Sequence, residues 1–331
     1  MLAAGTDGLP PFGPWTVLTA PTFDLVPLVG LVLALCLYLR GVLRLRARGD
    51  AWPVMRTVNF CVLGLGTIGF ALFSGLGTYD LSLFGAHMVQ HMLLSMVATV
   101  FLALGAPVTL ALRTLPRRPR GLLLALLHSR VAKVVTFPLI PWLLFVGSPF
   151  ALYFSGWYPA TLAHPLLHQL VHVHFLVVGS MFFWPMLGID PIPGRVSHPA
   201  RMLMLAATLP FHAFLGVAIM SVPDSGAGLI ARDHYLALHS VADAVFQQQV
   251  AGGLLWSSGD IIGLMFLIIV LTQWMRASDR EAVREDRRLD RLEDLAAARS
   301  AALAEAGAAV PTDARASAHT DARPADRSDA P

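Results

Sequence analysis

Twelve histidines are spread through the chain, and several recur at a spacing that could hold a metal ion. The segment FGAHMVQHMLLSM sets His87 and His91 four residues apart, and AHPLLHQLVHVHFL sets His164, His168 and His172 at successive four-residue steps. On an α-helix such residues stand one above another on a single face. Met88, Met92 and Met96 form a neighbouring stripe on the first of these segments, turned by about 100° from the histidines. Imidazole is the commonest metal ligand, and thioether sulfur selects Cu(I). Two histidines one turn apart can grip an ion from one helix, and two such helices facing each other could complete its shell. The candidate ligands are therefore His87, His91, His164, His168, His172 and His212, with Met88 and Met92. His212, in LPFHAFLGV, should lie about 15 Å along its own helix at the usual rise per residue. His174 points nearly opposite His172. The plainer alternative is that a lone histidine at a helix end is an interfacial side chain and a methionine is core filler. Spacing alone leaves a metal and a haem both open.

The elements that must carry these residues are membrane spans. The chain is 56% hydrophobic and 14% charged, where a soluble domain carries about 25% charged residues. No charged residue occurs between Asp80 and Arg113, or between Lys133 and Asp190. Seven segments have the roughly 20 mostly apolar residues that a spanning helix needs: 24–44, 57–77, 84–112, 134–155, 165–187, 200–222 and 244–275. The expected fold is an all-α integral membrane protein, a bundle of about seven transmembrane helices. Pro138, Pro141 and Pro149 are expected to kink the fourth. Segment 120–133 reads as an interfacial helix or the start of that fourth span.

Lysine and arginine placement orients the bundle. With the N-terminus outside, every one of the 24 basic residues except Arg232 falls on the cytoplasmic side. The net charge of +3 is therefore an orientation signal and not a nucleic-acid footprint. This orientation sets His87, His91, His164, His168, His172, His174, His234 and His239 toward the outer face. The organisation that follows is an external segment 1–23, a membrane domain 24–275, a charged cytoplasmic helix 276–306 and a disordered tail 307–331 rich in Ala, Pro and Asp. The opening residues carry no Lys or Arg, so the first helix is expected to serve as the targeting signal. Cys36 and Cys61 form no CxxC and read as buried apolar thiols. Asp190, in GIDPIPGR, reads as the cap of its own turn with Pro191, Gly194 and Arg195. Asp260 sits about 25 Å along the seventh helix among apolar residues, where a carboxylate must be paired, protonated or beside a polar cavity. Gly252, Gly253, Gly259 and Gly263 would let a neighbouring helix approach it closely. Neither a Walker motif nor a GxGxxG on a strand occurs.

Four segments taken together, HMVQHMLLSMVATVFLALGAPVTLALR, HPLLHQLVHVHFLVVGSMFFWPMLGIDPIP, FHAFLGVAIM and FQQQVAGGLLWSSGD, resemble the multi-spanning CtaG family. These membrane proteins are tied to the assembly of caa-type cytochrome c oxidase. The resemblance covers residues 24–275 and not the tail. FQQQ departs from it, since an acidic residue would be expected directly before the glutamines. The resemblance implies a non-enzymatic, multi-pass factor of the bacterial cell membrane. Its partners would be cytochrome c oxidase subunits and other copper-assembly proteins of the respiratory chain. It would help deliver copper to the catalytic subunit through outward-facing His and Met. Two other classes of function compete. One is a haem-binding membrane electron carrier, with a pair such as His91 and His172 as axial ligands. The other is a transporter or proton pathway built on His212 and Asp260.

Overall fold

Long apolar runs satisfy their backbone polar groups internally by coiling into helices, the only open-chain solution that lipid permits. The structure, a computed structural model, describes residues 10–191 and 196–308, and all regular structure among them is helical. Helices α1 (Leu25–Ala47), α2 (Val54–Tyr79) and α3 (Phe84–Thr114) are each long and apolar enough to cross a bilayer. Two shorter helices follow, α4 (Leu139–Tyr153) and α5 (Trp157–Ala163), which meet that criterion only as a pair. Then come α6 (Pro165–Leu187) and α7 (His198–Met220), a one-turn helix α8 (Arg232–Leu236), and α9 (Val241–Ala308), whose apolar part is the last span. The protein is an all-α integral membrane protein with six spans, or seven if α4 and α5 count as one.

The fourth span departs from the expected 134–155. A separate short helix, Arg130–Val135, ends just ahead of Pro138, which disfavours helical geometry in the residue before it. Pro138 is the N-cap of α4, and Pro141 falls in its first turn, where a missing N–H breaks no intrahelical bond. The 71° bend between α4 and α5 lies at Phe154–Gly156, beyond all three prolines. Upstream, residues 120–133 divide between Arg117–Leu127 and the short helix, with the Ser129 hydroxyl capping the second by accepting from Ala132 N at 3.0 Å.

Helix α3 is the centre of the bundle. Of its most apolar stretch 61% is buried, against 17% for α1. That difference corrects the reading of the cysteines: Cys36 on peripheral α1 is exposed and Cys61 on α2 is half-buried. One apolar cluster joins α3, α4, α6, α7 and α9 through residues such as Phe145, Phe182, Phe183, Leu215 and Phe266. A second joins α1, α2 and α3, where Tyr38 stacks on Phe60 at 4.1 Å and donates to Gly105 O at 2.7 Å. Helices α7 and α9 meet backbone to backbone, since a Cβ at Gly252 would lie 2.6 Å from Gly216 O.

Helix α3 breaks and restarts at Ala106, which takes the left-handed conformation at φ 50°. The restarted turn has no upstream carbonyls for its first N–H groups. Asp190 fills that need. Its carboxylate accepts from Val108 N at 3.2 Å, Thr109 N at 2.8 Å and Trp184 Nε1 at 3.0 Å. The expected role of Asp190 as the cap of its own turn is thus corrected: it caps a helix some 80 residues earlier in the chain. Of that turn, Gly194 and Arg195 lie outside the described residues.

Residues 272–331 form a unit apart from residues 1–271. Its described part is the last stretch of α9. There the side chains from Ser278 to Glu305 are exposed, Leu289, Leu292 and Leu295 among them, and Arg288 pairs with Glu285 at 3.4 Å. Such exposed pairs contribute little. The segment read as a disordered tail lies outside the described residues from 309 onward.

Candidate metal centre

The first turns of α3 and α6 carry the histidines. His87 and His91 lie with ring centroids 4.0 Å apart, and His168 and His172 with theirs 4.6 Å apart. The two pairs face each other, His87 to His168 at 5.5 Å and His91 to His172 at 5.8 Å. All four are buried, with exposures of 0, 1, 7 and 6% in chain order. Close contact one to two turns further along α3 and α6 sets this distance. A Cβ at Gly179 would lie 1.9 Å from Ser95 O, so only glycine lets the two backbones touch. Directly after His91, α3 opens into a π-helical stretch, Leu93–Ala98. Such wide turns free carbonyls from the regular ladder. The Ser95 hydroxyl takes up that of His91 at 2.7 Å, and the Thr99 hydroxyl that of Ser95 at 2.9 Å.

Three neighbours set which ring nitrogen carries the proton. Asp80 Oδ2 lies 2.8 Å from His168 Nε2, and a carboxylate only accepts, so His168 donates from Nε2. Gln90 donates its amide to Ala71 O at 3.0 Å, which turns its oxygen toward His172 Nε2 at 3.0 Å. His172 therefore donates there. Tyr153 points its hydroxyl hydrogen at Met88 Sδ, 3.6 Å away, and accepts from His91 Nδ1 at 3.1 Å. Each of these histidines then presents its other nitrogen as a free lone pair. Those atoms, His168 Nδ1, His172 Nδ1 and His91 Nε2, are buried without a hydrogen-bond partner among the described residues, as are both nitrogens of His87. Metal-binding histidines have this arrangement, one nitrogen held by a carboxylate or carbonyl and the other on the ion. Donor atoms of Asp80, His168 and His172 already lie within 4.8 Å of one another. Metal–imidazole bonds are about 2.0–2.1 Å long, so closing that trio on one ion would require Asp80 to exchange its hydrogen bond with His168 Nε2 for the ion.

The other sequence candidates fall elsewhere. His164 is the exposed N-cap residue of α6. His212 is buried against Phe145 and Gly259, with Nδ1 3.3 Å from Thr208 O. Asp260, the residue after Gly259, accepts from Trp256 Nε1 at 2.7 Å and leaves buried Oδ1 without a partner among the described residues. Met88 accepts from the Tyr153 hydroxyl that His91 also contacts, and Met92 lines a small apolar cavity against Leu254, Ser258 and Ile262 of α9. Sequence reasoning missed Asp80, Gln90 and Tyr153. Gln90 was within reach of it, since a position three residues after His87 shares its helical face.

With this geometry in view, residues 36–277 match the family model described as cytochrome c oxidase caa3 assembly factor, Caa3_CtaG. The chain belongs to the Caa3_CtaG family. Similar relatives are uncharacterised proteins of Mycobacterium bovis and Mycobacterium tuberculosis, each 39% identical over 282 residues, and one of Mycobacterium leprae, 37% identical over 260 residues. The first two alignments cover 83% of this chain and 42% of the relative, the third 76% and 39%. The chain thus spans less than half the length of these Caa3_CtaG relatives. No solved structure matches it. Asp80, Gln90, Tyr153 and the four clustered histidines all lie inside the Caa3_CtaG match.

Proposed function

We propose that the protein handles copper during assembly of cytochrome c oxidase, holding the ion among His87, His91, His168 and His172 with Asp80 and passing it toward the oxidase catalytic subunit. The observation that supports this reading most is the set of lone-pair nitrogens on three histidines, each matched to a neighbour that holds the opposite nitrogen. Unpaired polar atoms buried at membrane depth are costly, and an ion is the partner that removes the cost. Copper as the cargo rests on family membership, and an imidazole-rich donor set accepts copper among other transition metals. Without a redox cofactor motif, binding and transfer suit the cluster better than turnover. The distribution of basic residues supports an N-terminus outside and α9 ending in the cytoplasm, which sets the histidines toward the outer face. A haem between His91 and His172 fits poorly, because the Gly179–Ser95 contact leaves no width for a macrocycle between α3 and α6.

The test is metal analysis of detergent-purified protein after loading with Cu(I). Wild type should retain copper through desalting, and His168→Ala/His172→Ala should lose most of it. Equal copper in both would end this reading, as would a Soret band in the purified protein.

A further inference from the structure

The histidine cluster is walled by spanning helices, but its end nearest the α7–α9 connection is closed by two short pieces, neither long enough to span by itself. One is α5, which brings Tyr158 to 4.9 Å from the His87 ring. The other is the connection 221–240, which carries Tyr235 on α8. The two hydroxyls hydrogen-bond to each other at 2.6 Å, and both side chains are buried. Phe84, in the first turn of α3, stacks on Tyr158 at 5.3 Å and on Tyr235 at 5.7 Å. The connection is tied to the turn that follows Asp80. His234 Nε2 donates to Leu81 O and His239 Nε2 to Ser82 O, each at 2.7 Å. At its start, Gln248 of α9 accepts from Ile230 N at 2.8 Å and donates to Ile219 O at 3.0 Å. Ala231, just before α8, holds a left-handed φ of 51°, a strained geometry for alanine.

We propose that the 221–240 connection and α5 form a lid over the histidine cluster, latched by the Tyr158–Tyr235 hydroxyl pair, and that a metal ion exchanges only when this latch parts. This inference rests on the metal-binding reading above for its purpose, but the lid can be tested without metal. Parting the spanning helices would break the Gly179–Ser95 contact and the apolar cluster that joins α3, α4, α6, α7 and α9. The lid buries Tyr158, Tyr235, Leu229 and Ile230 at the end of the apolar cluster, and its ties to neighbouring elements are single hydrogen bonds, which a local opening can break without parting the spans. The ties to Leu81 and Ser82 also put the lid next to Asp80, so the same turn carries a candidate ligand and anchors its cover. A receiving protein would have to displace the latch to take the ion.

The probe is diethyl pyrocarbonate on metal-free, detergent-purified protein, with modification of His87 and His91 followed by peptide mass spectrometry and exposed His128 as the internal reference. Wild type should modify His87 and His91 far more slowly than His128. Tyr235→Phe removes the latch hydrogen bond and keeps the ring. It should speed modification of both by about fivefold, the factor that one neutral hydrogen bond is worth. His234→Ala/His239→Ala should speed it as well. If Tyr235→Phe does not fold, the half-buried His234 and His239 carry the test. Wild-type modification rates in the folded variants would overturn the lid, as would a wild type in which His87 reacts as fast as His128. Faster modification in the variants of a protein that never binds copper would uphold the lid and remove only the copper reading.

Discussion

Asp80 bonds one imidazole of the cluster and shares a 4.8 Å neighbourhood with a second. As a partner of His168 Nε2 it holds the ring with Nδ1 free; as a carboxylate it could instead bind an ion directly once that bond is given up. Asp80→Asn keeps the shape and an accepting oxygen but removes the charge. Partners of metal-bound histidines typically change affinity by 10–100-fold when altered. Asp80→Asn should therefore weaken Cu(I) binding by about 10–100-fold, measured by competition with a chromogenic Cu(I) chelator, while the thermal midpoint moves little. Unchanged affinity would leave Asp80 as a buried anchor for α6 and nothing more. The sequence offered Asp80 only as the last charge before a long apolar run. Its partner, His168, stands 88 positions away, and no local periodicity links residues across that distance.

At the scale of elements, the contact of α3 with α6 decides whether two histidine pairs make one cluster. Gly179→Ala would drive a methyl group into the Ser95 carbonyl, where a Cβ has 1.9 Å. Backbone cannot move aside as a flexible side chain does, so the helices must separate. Overpacking of this kind costs about 1–3 kcal/mol. The expected outcome is a lower thermal midpoint in detergent together with weaker Cu(I) binding. Gly147→Ala on α4 is the control, because a Cβ there meets nothing within 4 Å. It should be neutral or slightly stabilising, as alanine is the better helix former. If Gly179→Ala matched Gly147→Ala in both measurements, the α3–α6 contact would not set the cluster. The break of the fourth span belongs to this scale too. Its prolines were visible in the sequence, but the bend falls at Phe154–Gly156, where the chain turns to bring Tyr158 over His87.

For the whole molecule, orientation is the property with the widest consequence. A histidine cluster on the outer side would exchange copper with extracytoplasmic partners, and the same cluster reversed would serve the cytoplasm. A reporter active only outside the cell, fused near Gly5, should be active, and the same reporter fused after Arg276 should be silent. The reason is that all basic residues but Arg232 would otherwise lie on the wrong side. Activity of the Arg276 fusion would reverse the direction of copper handling proposed above. The curated relatives are more than twice as long as the part of them that this chain matches.

The membrane class, most of the spans and the two helices bearing paired histidines were determined by the sequence alone. Apolar length and four-residue spacing are local properties, and lipid converts them into helices with little freedom. The sequence also showed that His87, His91, His168 and His172 each lie on a common face of their helix. Only the tertiary structure decided which candidates meet. It left His164 exposed as the N-cap of α6, set His212 beside Gly259, and turned Met92 toward α9. It also supplied Asp80, Gln90 and Tyr153, which fix the free nitrogens of His168, His172 and His91. The physical reason is the range of the forces involved. Helix formation is written in neighbours a turn apart, whereas the orientation of an imidazole is set by hydrogen bonds from other helices, and these exist only once glycine and serine have brought α3 and α6 into contact.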